Sequence, residues 1–367
     1  MKKSKEKKIK ILFLIGSYGT GGKERQLAEL IKGLDPERFE LHLLIKSDGA
    51  HYLENIKDNL TTLHNLNRER FGWRAITDIA KVIREVKPDI VHSWAEITSS
   101  MVIIIKLLTF NSFKLLDGSI RMTRKYTTNR ARLQRLAINI FSDFIISNSK
   151  AGLEIYKVPL GKSSFIHNGF AFSRTNGLIE KVTKKNKLGI NGQLVVGMVA
   201  RLDFEKDWKT FFKAAINLLR KRNDVIFVIV GDGNQRQYYE ALVDSNKSSF
   251  VFTGLVNNVE SYVNIFDIAI LSSYSEGISN SIMEYMALRK PVIASGSGGV
   301  TELVKANETG FIFNVGDNIK LEEFILKLLD DANLRSTMGN NAYNLLETSF
   351  SIETMIEQYT KSYRSLS

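Results

Sequence analysis

Short segments rich in β-branched and aromatic residues alternate with amphipathic helical patterns from one end of the chain to the other. Such alternation is typical of parallel sheets built from β-α-β units. In the first half the predicted strands are 8–16, 39–46, 61–66, 90–95, 113–120, 143–149 and 163–168. In the second half they are 194–200, 225–230, 250–254, 268–273, 291–295 and 311–314. The predicted class is α/β, with two Rossmann-like, doubly wound parallel sheets.

The chain has 367 residues, more than a single hydrophobic core usually supports, which favours two domains. The stretch 168–191 is polar and contains Gly169, Gly177 and Gly189, a pattern typical of an interdomain linker. We therefore expect an N-terminal domain at 1–175 and a C-terminal domain at 176–348. Ligands of such sheets bind at the carboxyl ends of the strands, so two facing domains imply a cleft.

The composition excludes several classes of function. The chain has no cysteine, so disulfides, thiolate metal sites and thiol nucleophiles are excluded, and we expect a cytoplasmic protein. The longest apolar stretch, 101–110, falls well below the ~20 residues that span a bilayer. The net charge of +12 indicates an anionic partner. From Lys106 to Arg135 there are eight basic residues and one acid, Asp117.

The strongest combination of polar residues follows a predicted strand of the second half. Glu276 and Glu284 are separated by seven residues, Gly277 marks a turn, and Ser279 or Ser281 is suited to cap the following helix. Free backbone N–H groups at a helix start bind phosphate or sugar oxygens. We expect Glu276 to meet a sugar hydroxyl and Glu284 to accept bonds from a ribose diol. The alternative is that both are solvated acids on a surface helix.

Two cations, Arg201 and Lys206, leave the first predicted strand of the second half together. A diphosphate leaving group gathers negative charge as its bond to a sugar breaks, and two fixed cations would lower that barrier. An ordinary pair of surface charges is the alternative. The position at a strand's carboxyl end favours the functional interpretation.

Two loops are candidates for nucleotide contacts. The glycine-rich turn 16–25 includes Gly21 and Gly22, whose backbone can approach a phosphate closely. It matches neither the P-loop nor the dinucleotide-binding glycine pattern. The loop with Leu255, Val256 and Asn257 follows a strand and is placed to line a base, although turn formation explains it equally well.

The five histidines show no pair at metal-ligand spacing, and no Asp-x-Asp occurs. A metal-bridged diphosphate is therefore disfavoured, and we predict neither a metal nor a cofactor. His92 ends a predicted strand and is a candidate for contact with substrate. A structural histidine inside the fold is the alternative.

Together these residues resemble glycosyltransferase family four, retaining enzymes with the GT-B fold, in which two Rossmann-like domains face a cleft. The resemblance covers nearly the whole chain. Its motifs are 21–24, 166–169, Arg201 with Lys206, 231–233 and 276–284. The final stretch, 349–367, resembles the terminal helix that in this family crosses back to the first domain.

The resemblance implies roles for individual residues. Arg201 and Lys206 would bind the donor diphosphate, and Glu284 the ribose. Glu276 and the backbone after it would bind the transferred sugar. The other implied donor-binding positions are Gly21 and Gly22 near the phosphates, Leu255, Val256 and Asn257 at the base, and Gly277, Ile278, Ser279, Asn280, Ser281 and Ile282.

The resemblance also implies a reaction. A hexose or N-acetylhexosamine would pass, with retention and without a metal, from a nucleotide diphosphate sugar, expected to be UDP-linked. The acceptor would be a saccharide or lipid-linked saccharide in cell-surface polysaccharide assembly, and nucleic acid is not an expected partner. Two positions depart from the family: 117–121 stands where many members carry a histidine, and Ile278 where an aromatic is frequent. His92 and Arg121 are the acceptor-side candidates.

Three other functions remain open: a nucleotide-sugar 2-epimerase of the same fold, a non-catalytic sugar-nucleotide-binding protein and a nicotinamide dehydrogenase. The paired glutamates and cations favour transfer, because an epimerase needs a dedicated acid and base around its sugar. The dehydrogenase is disfavoured because the first turn lacks the expected glycine spacing.

The basic segment suggests peripheral contact with an anionic membrane that holds a lipid-linked acceptor. The apolar face of the predicted helix consists of Leu133, Leu136, Ala137, Ile140 and Phe141. Arg130, Arg132 and Arg135 lie elsewhere on the helix, as in membrane-surface helices. The preferred alternative is that this face packs on the sheet.

Overall fold

The computed structural model describes residues 7–17, 21–47, 52–68, 72–109, 112–124 and 126–367. The chain divides into two compact units, Met1–Gly169 with Ile352–Ser367, and Phe170–Ser351. The division therefore falls earlier than residue 175. The physical reason is Phe170, which is fully buried in the core of the second unit. The stretch expected to be a linker instead contributes a helix, Lys181–Lys187, to that unit.

Within its described residues, the first unit is a parallel sheet of seven strands covered by helices. Its strands are β1 (Ile9–Ser17), β2 (Phe39–Ser47), β3 (Thr62–Asn65), β4 (Ile90–Ser93), β5 (Lys114–Ile120), β6 (Phe144–Ser147) and β7 (Ser163–Phe165). Its first helices are α1 (Gly22–Gly33), α2 (Trp73–Val86), α3 (Glu96–Thr109), α4 (Asn129–Phe141) and α5 (Lys150–Ile155). The strand order is β3-β2-β1-β4-β5-β6-β7.

The second unit repeats this plan with six strands in the order β10-β9-β8-β11-β12-β13. Its strands are β8 (Leu194–Val199), β9 (Val225–Val230), β10 (Phe250–Phe252), β11 (Ile268–Leu271), β12 (Val292–Ser295) and β13 (Gly310–Phe313). Its helices are α6 (Lys181–Lys187), α7 (Trp208–Leu219), α8 (Arg236–Leu242), α9 (Val259–Val263), α10 (Asn280–Ala287), α11 (Val300–Leu303), α12 (Asn318–Asp330) and α13 (Ala332–Ser349).

The central strands are buried on both faces, which explains their continuous apolar sequences. Residues 11–15 of β1 are fully inaccessible, and all six residues of β9 are buried. Continuous apolar runs of this kind are typical of parallel strands with helices on both sides. Every predicted strand has an observed counterpart, but several end up to three residues sooner, because polar loops leave the sheet at its carboxyl edge.

The strand order reverses direction once in each sheet, which determines where loops diverge. In the first unit β2 and β4 flank β1, and in the second β9 and β11 flank β8. Loops that leave strands on either side of such a point open a crevice at the carboxyl edge, where ligands of these folds bind. The candidate residues follow β1, β5, β8, β10 and β11, and His92 lies within β4.

The last helix, α14 (Ile352–Leu366), belongs to the first unit although its sequence follows the second. It contacts α1, and a Cβ on Gly33 of α1 would lie 1.9 Å from the side chain of Ile356. Tyr359 and Tyr363 of this helix are fully buried. The final stretch is therefore helical and packs on the first unit.

Candidate functional site

Glu276 and Lys206 form an ion pair at the carboxyl edge of the second sheet. Lys206 follows β8 and donates a hydrogen bond from its Nζ to Glu276 Oε1, beyond β11. Their loops are held together by the backbone, since Asp207 N donates to Ser272 O at 3.0 Å. Both side chains are largely buried. The structure thus brings together two residues that lie 70 positions apart in the sequence.

The start of α10 supplies backbone donors beside this pair. Ser279 caps the helix by accepting from Ile282 N, and Ser281 Oγ donates to Val199 O at 2.9 Å, which fixes the helix start against β8. The first N–H groups of a helix have no intrahelical acceptor. Tyr285 is fully buried and its hydroxyl bonds Val199 N at 2.7 Å and Ile270 O at 3.2 Å. This helix is therefore fixed between the two strands that flank the crevice.

Glu284 lies one turn into α10 and is almost fully buried. Its Oε1 accepts a hydrogen bond from Arg174 Nη2 at 2.7 Å, and the same guanidinium also contacts Glu260. Burial without a cation would disfavour an ionised carboxylate. Arg174 was missed by sequence reasoning, because it lies in the stretch interpreted as a linker and no local pattern distinguishes it.

Arg201 is held differently from Lys206. Its side chain is 69% exposed, and its guanidinium pairs with Glu205 at 2.9 Å and Asp203 at 3.3 Å on its own loop. Its backbone is fixed, because Trp208 Nε1 donates to Arg201 O at 2.8 Å. An anion that entered the site would therefore compete with Glu205 and Asp203 for the exposed guanidinium.

The expected base-binding loop follows β10. Leu255 is 77% exposed, Asn257 is exposed and Val256 is half-buried. The loop is fixed by Gly254, since Gly231 N donates to Gly254 O at 3.1 Å. The loops after β8, β9 and β10 therefore meet at one edge of the sheet.

Two of the predicted donor-binding positions can act only through their backbone. The side chains of Ile278 and Ile282 are buried in the hydrophobic core of the second unit. Any contact that these two residues make with a ligand would therefore be through their backbone atoms. Gly277 and Ser279 are also buried, while Asn280 and Ser281 are half-buried.

In the first unit, Gly21 and Gly22 begin α1; residues 18–20 of the same turn lie outside the described residues. Gly21 is the N-cap and has no side chain to cap the helix, and a Cβ there would lie 2.3 Å from Glu24 Oε2. Burial lowers the pKa of the adjacent Lys23, and the charge of Arg121 lowers it further, while Glu24, 3.7 Å from its Nζ, acts in the opposite direction. The positive end of the helix dipole suits an anion at this helix start.

His92 occupies a different position from the one expected. Its ring is fully buried, so it does not present a face to substrate. Its Nδ1 lies 2.8 Å from the Tyr363 hydroxyl and 3.3 Å from Trp94 Nε1, which donates to it. Burial, and then the charge of Arg121, lower its pKa well below the ordinary value. The structure supports the alternative of a neutral structural histidine that anchors α14.

Arg121 is likewise engaged in internal contacts. Its guanidinium lies 3.9 Å from the centre of the Trp94 ring and donates to Asn168 Oδ1 at 3.2 Å and the Tyr359 hydroxyl at 3.0 Å. These contacts join the end of β5 to α14. The nearby Asp117 is fully buried and pairs with Arg135 at 2.8 Å. The segment 117–121 is therefore an internal polar network.

Among the described residues, no three His, Cys, Asp or Glu side chains are grouped so that they could hold a metal ion. The acids of the crevice are paired with Lys206, Arg174 and Arg201 instead.

Two family models match the chain in succession. The model described as Glycosyltransferase Family 4 matches residues 20–174, and the model described as Glycosyl transferases group 1 matches residues 180–345. Together they include all the strands described above except β1, and all the motifs at the carboxyl edges of the two sheets. The chain belongs to glycosyltransferase family four.

Curated relatives of this glycosyltransferase include full-length and partial matches. It is 25% identical to a GalNAc-alpha-(1->4)-GalNAc-alpha-(1->3)-diNAcBac-PP-undecaprenol alpha-1,4-N-acetyl-D-galactosaminyltransferase of Campylobacter jejuni, over 96% of this chain and 98% of that protein. It is 24% identical to a UDP-Gal:alpha-D-GlcNAc-diphosphoundecaprenol alpha-1,3-galactosyltransferase of Escherichia coli, over 98% of both chains. The match to an alpha-D-kanosaminyltransferase of Streptomyces kanamyceticus, 27% identical, spans only 50% of this chain and 48% of that protein.

The glycosyltransferase also shares its fold with solved structures. Anabaena HepE in complex with UDP superposes with a TM-score of 0.84 at 20% identity, over 97% of this chain and 100% of that one. HepE in complex with UDP-glucose superposes with a TM-score of 0.83 at 19% identity, over 97% and 100%. This confirms the GT-B fold predicted from the sequence.

Proposed function

We propose that this glycosyltransferase transfers a hexose or N-acetylhexosamine from a UDP-sugar to a lipid-linked saccharide, with retention at the anomeric carbon and without a metal ion. The observation that carries the proposal is the Lys206–Glu276 ion pair, which places a cation and a carboxylate side by side at the start of α10. Such a pair meets both requirements of a nucleotide-sugar site: a positive charge for the diphosphate and a hydrogen-bond acceptor for the sugar hydroxyls.

The donor would bind along the carboxyl edge of the second sheet. Lys206 and Arg201 would neutralise the diphosphate, while Glu276 and the backbone of 277–282 would hold the sugar. Glu284, oriented by Arg174, would accept hydrogen bonds from the ribose diol. Leu255, Val256 and Asn257 would line the base. The assignment of UDP is supported by HepE, which was solved with UDP and with UDP-glucose, and by the UDP-Gal enzyme of Escherichia coli.

In the proposed reaction the bond between the anomeric carbon and the diphosphate oxygen breaks, and the anomeric carbon bonds to the acceptor oxygen. The acceptor hydroxyl attacks on the face from which the diphosphate leaves and passes its proton to the departing phosphate oxygen. Negative charge on the diphosphate grows as the bond breaks, and fixed cations stabilise that charge most in the transition state. Lys206 therefore supplies what a divalent cation supplies elsewhere.

The acceptor is proposed to be a saccharide on a polyprenyl diphosphate. Two relatives, from Campylobacter jejuni and Escherichia coli, are named for acceptors that are linked through a diphosphate to undecaprenol. This chain matches both over nearly its whole length. Gly21, Gly22 and the adjacent Lys23 would contribute positive potential on the first unit.

The test is release of nucleoside diphosphate from a panel of nucleotide sugars in the presence of chelator. We expect turnover with a UDP-sugar, and a loss of about a hundredfold or more in Glu276→Ala and Lys206→Ala. Lys213→Ala and Glu308→Ala, exposed residues of the same unit, serve as controls and should retain full activity.

Each other outcome contradicts a defined part of the proposal. Turnover that requires metal would contradict metal independence, and inversion of the anomeric product, detected by NMR, would contradict retention. Isomerised free nucleotide sugar would reveal the 2-epimerase. Tight nucleotide-sugar binding without turnover on any acceptor would indicate a non-catalytic binding protein.

A further inference from the structure

The apolar face of α4 is exposed. Leu133, Leu136 and Ile140 are 65%, 53% and 57% exposed, and Phe141 is 45% exposed. The residues of α4 that pack on the sheet are instead Arg135, Ile138 and Asn139. The preferred expectation that the apolar face packs inward is therefore wrong. Arg135 can turn inward because the buried Asp117 neutralises it.

Neighbouring elements extend this apolar surface. The adjacent helix α3, which contacts α4 through a 3.0 Å hydrogen bond from Gln134 Nε2 to Ser100 Oγ, exposes Leu107 and Leu108. Beyond the carboxyl end of α4, Leu160 is 87% exposed. Lys162 fixes this end by donating to Ile140 O at 2.7 Å and Ser142 O at 2.9 Å. We name these exposed apolar residues of α3, α4 and the 160 turn the α3–α4 face.

Single exposed apolar side chains are ordinary, but a contiguous group marks an interaction surface. The charges around the α3–α4 face identify the partner. From Gly118 to Ser142 the sequence contains no acidic residue, and Arg124, Arg130 and Arg132 are exposed. With 3.6 residues per turn, Arg130 and Arg132 lie about 60° and 100° to opposite sides of Leu133. Arginines thus border both sides of the apolar stripe.

The two nearest acids do not cancel this charge. Glu96 accepts a hydrogen bond from the Tyr126 hydroxyl and lies 3.8 Å from Arg135, and Asp143 pairs with Lys106. Among the described residues, no helix is both long and apolar enough to cross a bilayer. An apolar stripe bordered by arginines suits the surface of a bilayer, where leucines enter the acyl region and guanidinium groups remain among anionic headgroups. Two copies of this face would repel each other through the same arginines.

We propose that the α3–α4 face docks this protein on a membrane that contains anionic lipid. Because α4 follows β5 after a connection of eight residues, its N-terminus lies at the carboxyl edge of the first sheet. Docking therefore brings the edge that carries Gly21 and Gly22 close to the lipid surface. The link to a lipid-bound acceptor rests on the proposed function, whereas binding of the face to lipid does not.

The test is co-sedimentation of the full chain with phosphatidylcholine vesicles, with and without phosphatidylglycerol. One variant combines Leu133→Gln, Leu136→Gln and Ile140→Gln, and a second combines Arg124→Gln, Arg130→Gln and Arg132→Gln. A control combines Lys209→Gln, Lys213→Gln and Arg220→Gln, which removes the same charge from exposed positions of the second unit. A matched apolar control combines Val182→Gln, Leu242→Gln and Ile319→Gln, also exposed.

We expect binding only to vesicles with phosphatidylglycerol. The arginine variant should bind about a hundredfold more weakly, since each basic residue near a lipid surface contributes about fivefold. The leucine variant should also lose binding, and both controls should bind like the wild type. High salt should weaken the wild type and leave the residual binding of the arginine variant nearly unchanged.

The proposal is overturned if the wild type does not bind the anionic vesicles, or if both α4 variants bind as tightly as it does. It is also overturned if the leucine variant changes the oligomeric state in size-exclusion chromatography, since the face would then join two copies. Circular dichroism melting checks that both variants fold. A separate measurement is the release of nucleoside diphosphate with a water-soluble acceptor, which should be unchanged in both variants. This measurement separates a failure of docking from a failure of the proposed function.

Discussion

Arg174 Nη2 lies 2.7 Å from Glu284 Oε1, and the same guanidinium contacts Glu260. Glu284 reaches this position from α10, whereas Arg174 comes from the start of the second unit, 110 residues earlier. The guanidinium is itself supported by the Phe170 ring, 4.7 Å away. Removing this cation would leave a buried carboxylate without the ion pair that orients it.

Arg174→Gln should therefore weaken donor binding more than it slows the chemical step. Without the cation, Glu284 no longer presents a fixed carboxylate to the ribose, so KM for the donor should rise at least tenfold while kcat falls less. Arg174→Lys should restore part of the affinity. Steady-state kinetics measure the changes in kcat and in the donor KM separately. A fall in kcat with no change in the donor KM would show that Arg174 does not act through donor binding.

The same substitution should destabilise the protein. Removing one partner of a buried ion pair costs about 3–5 kcal/mol when the other charge remains buried. Arg174 is shared by two acids, so Arg174→Gln should lower the free energy of unfolding more than Glu260→Gln does. Urea denaturation monitored by tryptophan fluorescence measures both values.

Arginine should replace lysine poorly at position 206, in the ion pair of Lys206 with Glu276. Lys206 donates to Glu276 as a compact ammonium between two loops that are tied by the Lys206–Ser273 bridge. A planar guanidinium retains the charge but needs a different geometry. We expect kcat to fall about tenfold or more, with the donor KM less affected than in Lys206→Ala. Activity equal to wild type in Lys206→Arg would show that charge alone is sufficient.

The sequence predicted the parts of the site that a local pattern reveals. Lys206 and Glu276 lie on loops that follow apolar strands, and Glu284 lies one turn into the helix after such a loop, so their position near the carboxyl edge could be inferred from the predicted strands. Arg174 could not be inferred, because its partner is distant and the glycine-rich stretch around it is also typical of a linker. His92 was equally ambiguous, since two of the rings that bury it, Tyr359 and Tyr363, come from the other end of the chain.

The orientation of α4 shows a second limit of sequence patterns. An amphipathic pattern identifies two faces but not which one packs on the sheet. The outcome depends on Asp117, a buried carboxylate that needs the Arg135 guanidinium, so the polar face turns inward. Hydrophobic periodicity does not predict a burial pattern that depends on one long-range ion pair.

Stability should decrease as the pH falls below about 6.5, the ordinary pKa of an unfolded histidine. Burial, and then Arg121, hold the pKa of His92 well below that value, so the folded ring stays neutral while the unfolded ring takes up a proton. Proton uptake by the unfolded chain favours unfolding, and the loss grows as the pH falls from 6.5 towards the folded pKa. Burial lowers the pKa of His42 and His64 as well, which adds to the same trend.

His92→Gln isolates the contribution of this ring. The variant loses a titrating group, so its Tm should fall less than that of the wild type between about pH 7.5 and pH 5.5. Differential scanning calorimetry at several pH values measures the difference between the two proteins. Parallel curves for wild type and variant would show that His92 does not titrate on unfolding in this range.

Gly231→Ala should be among the most damaging single substitutions in the second unit. Gly231 has a φ of 137°, and a Cβ there would lie 2.2 Å from Ala200 O, a backbone atom that cannot move aside cheaply. Gly192 also has a positive φ, 84°, but a Cβ there meets nothing within 4 Å. Gly192→Ala should therefore cost only the backbone strain, about 1–2 kcal/mol, and leave activity intact.

Gly231→Ala must in addition separate the loops after β8 and β9. Since Arg201 and Leu255 lie on loops that meet at this point, the donor KM should rise along with the loss of stability. Urea denaturation and donor titration of the two alanine variants distinguish these effects. Equal destabilisation by both substitutions, with no change in KM, would mean that only the positive φ of Gly231 matters and that the loops tolerate separation.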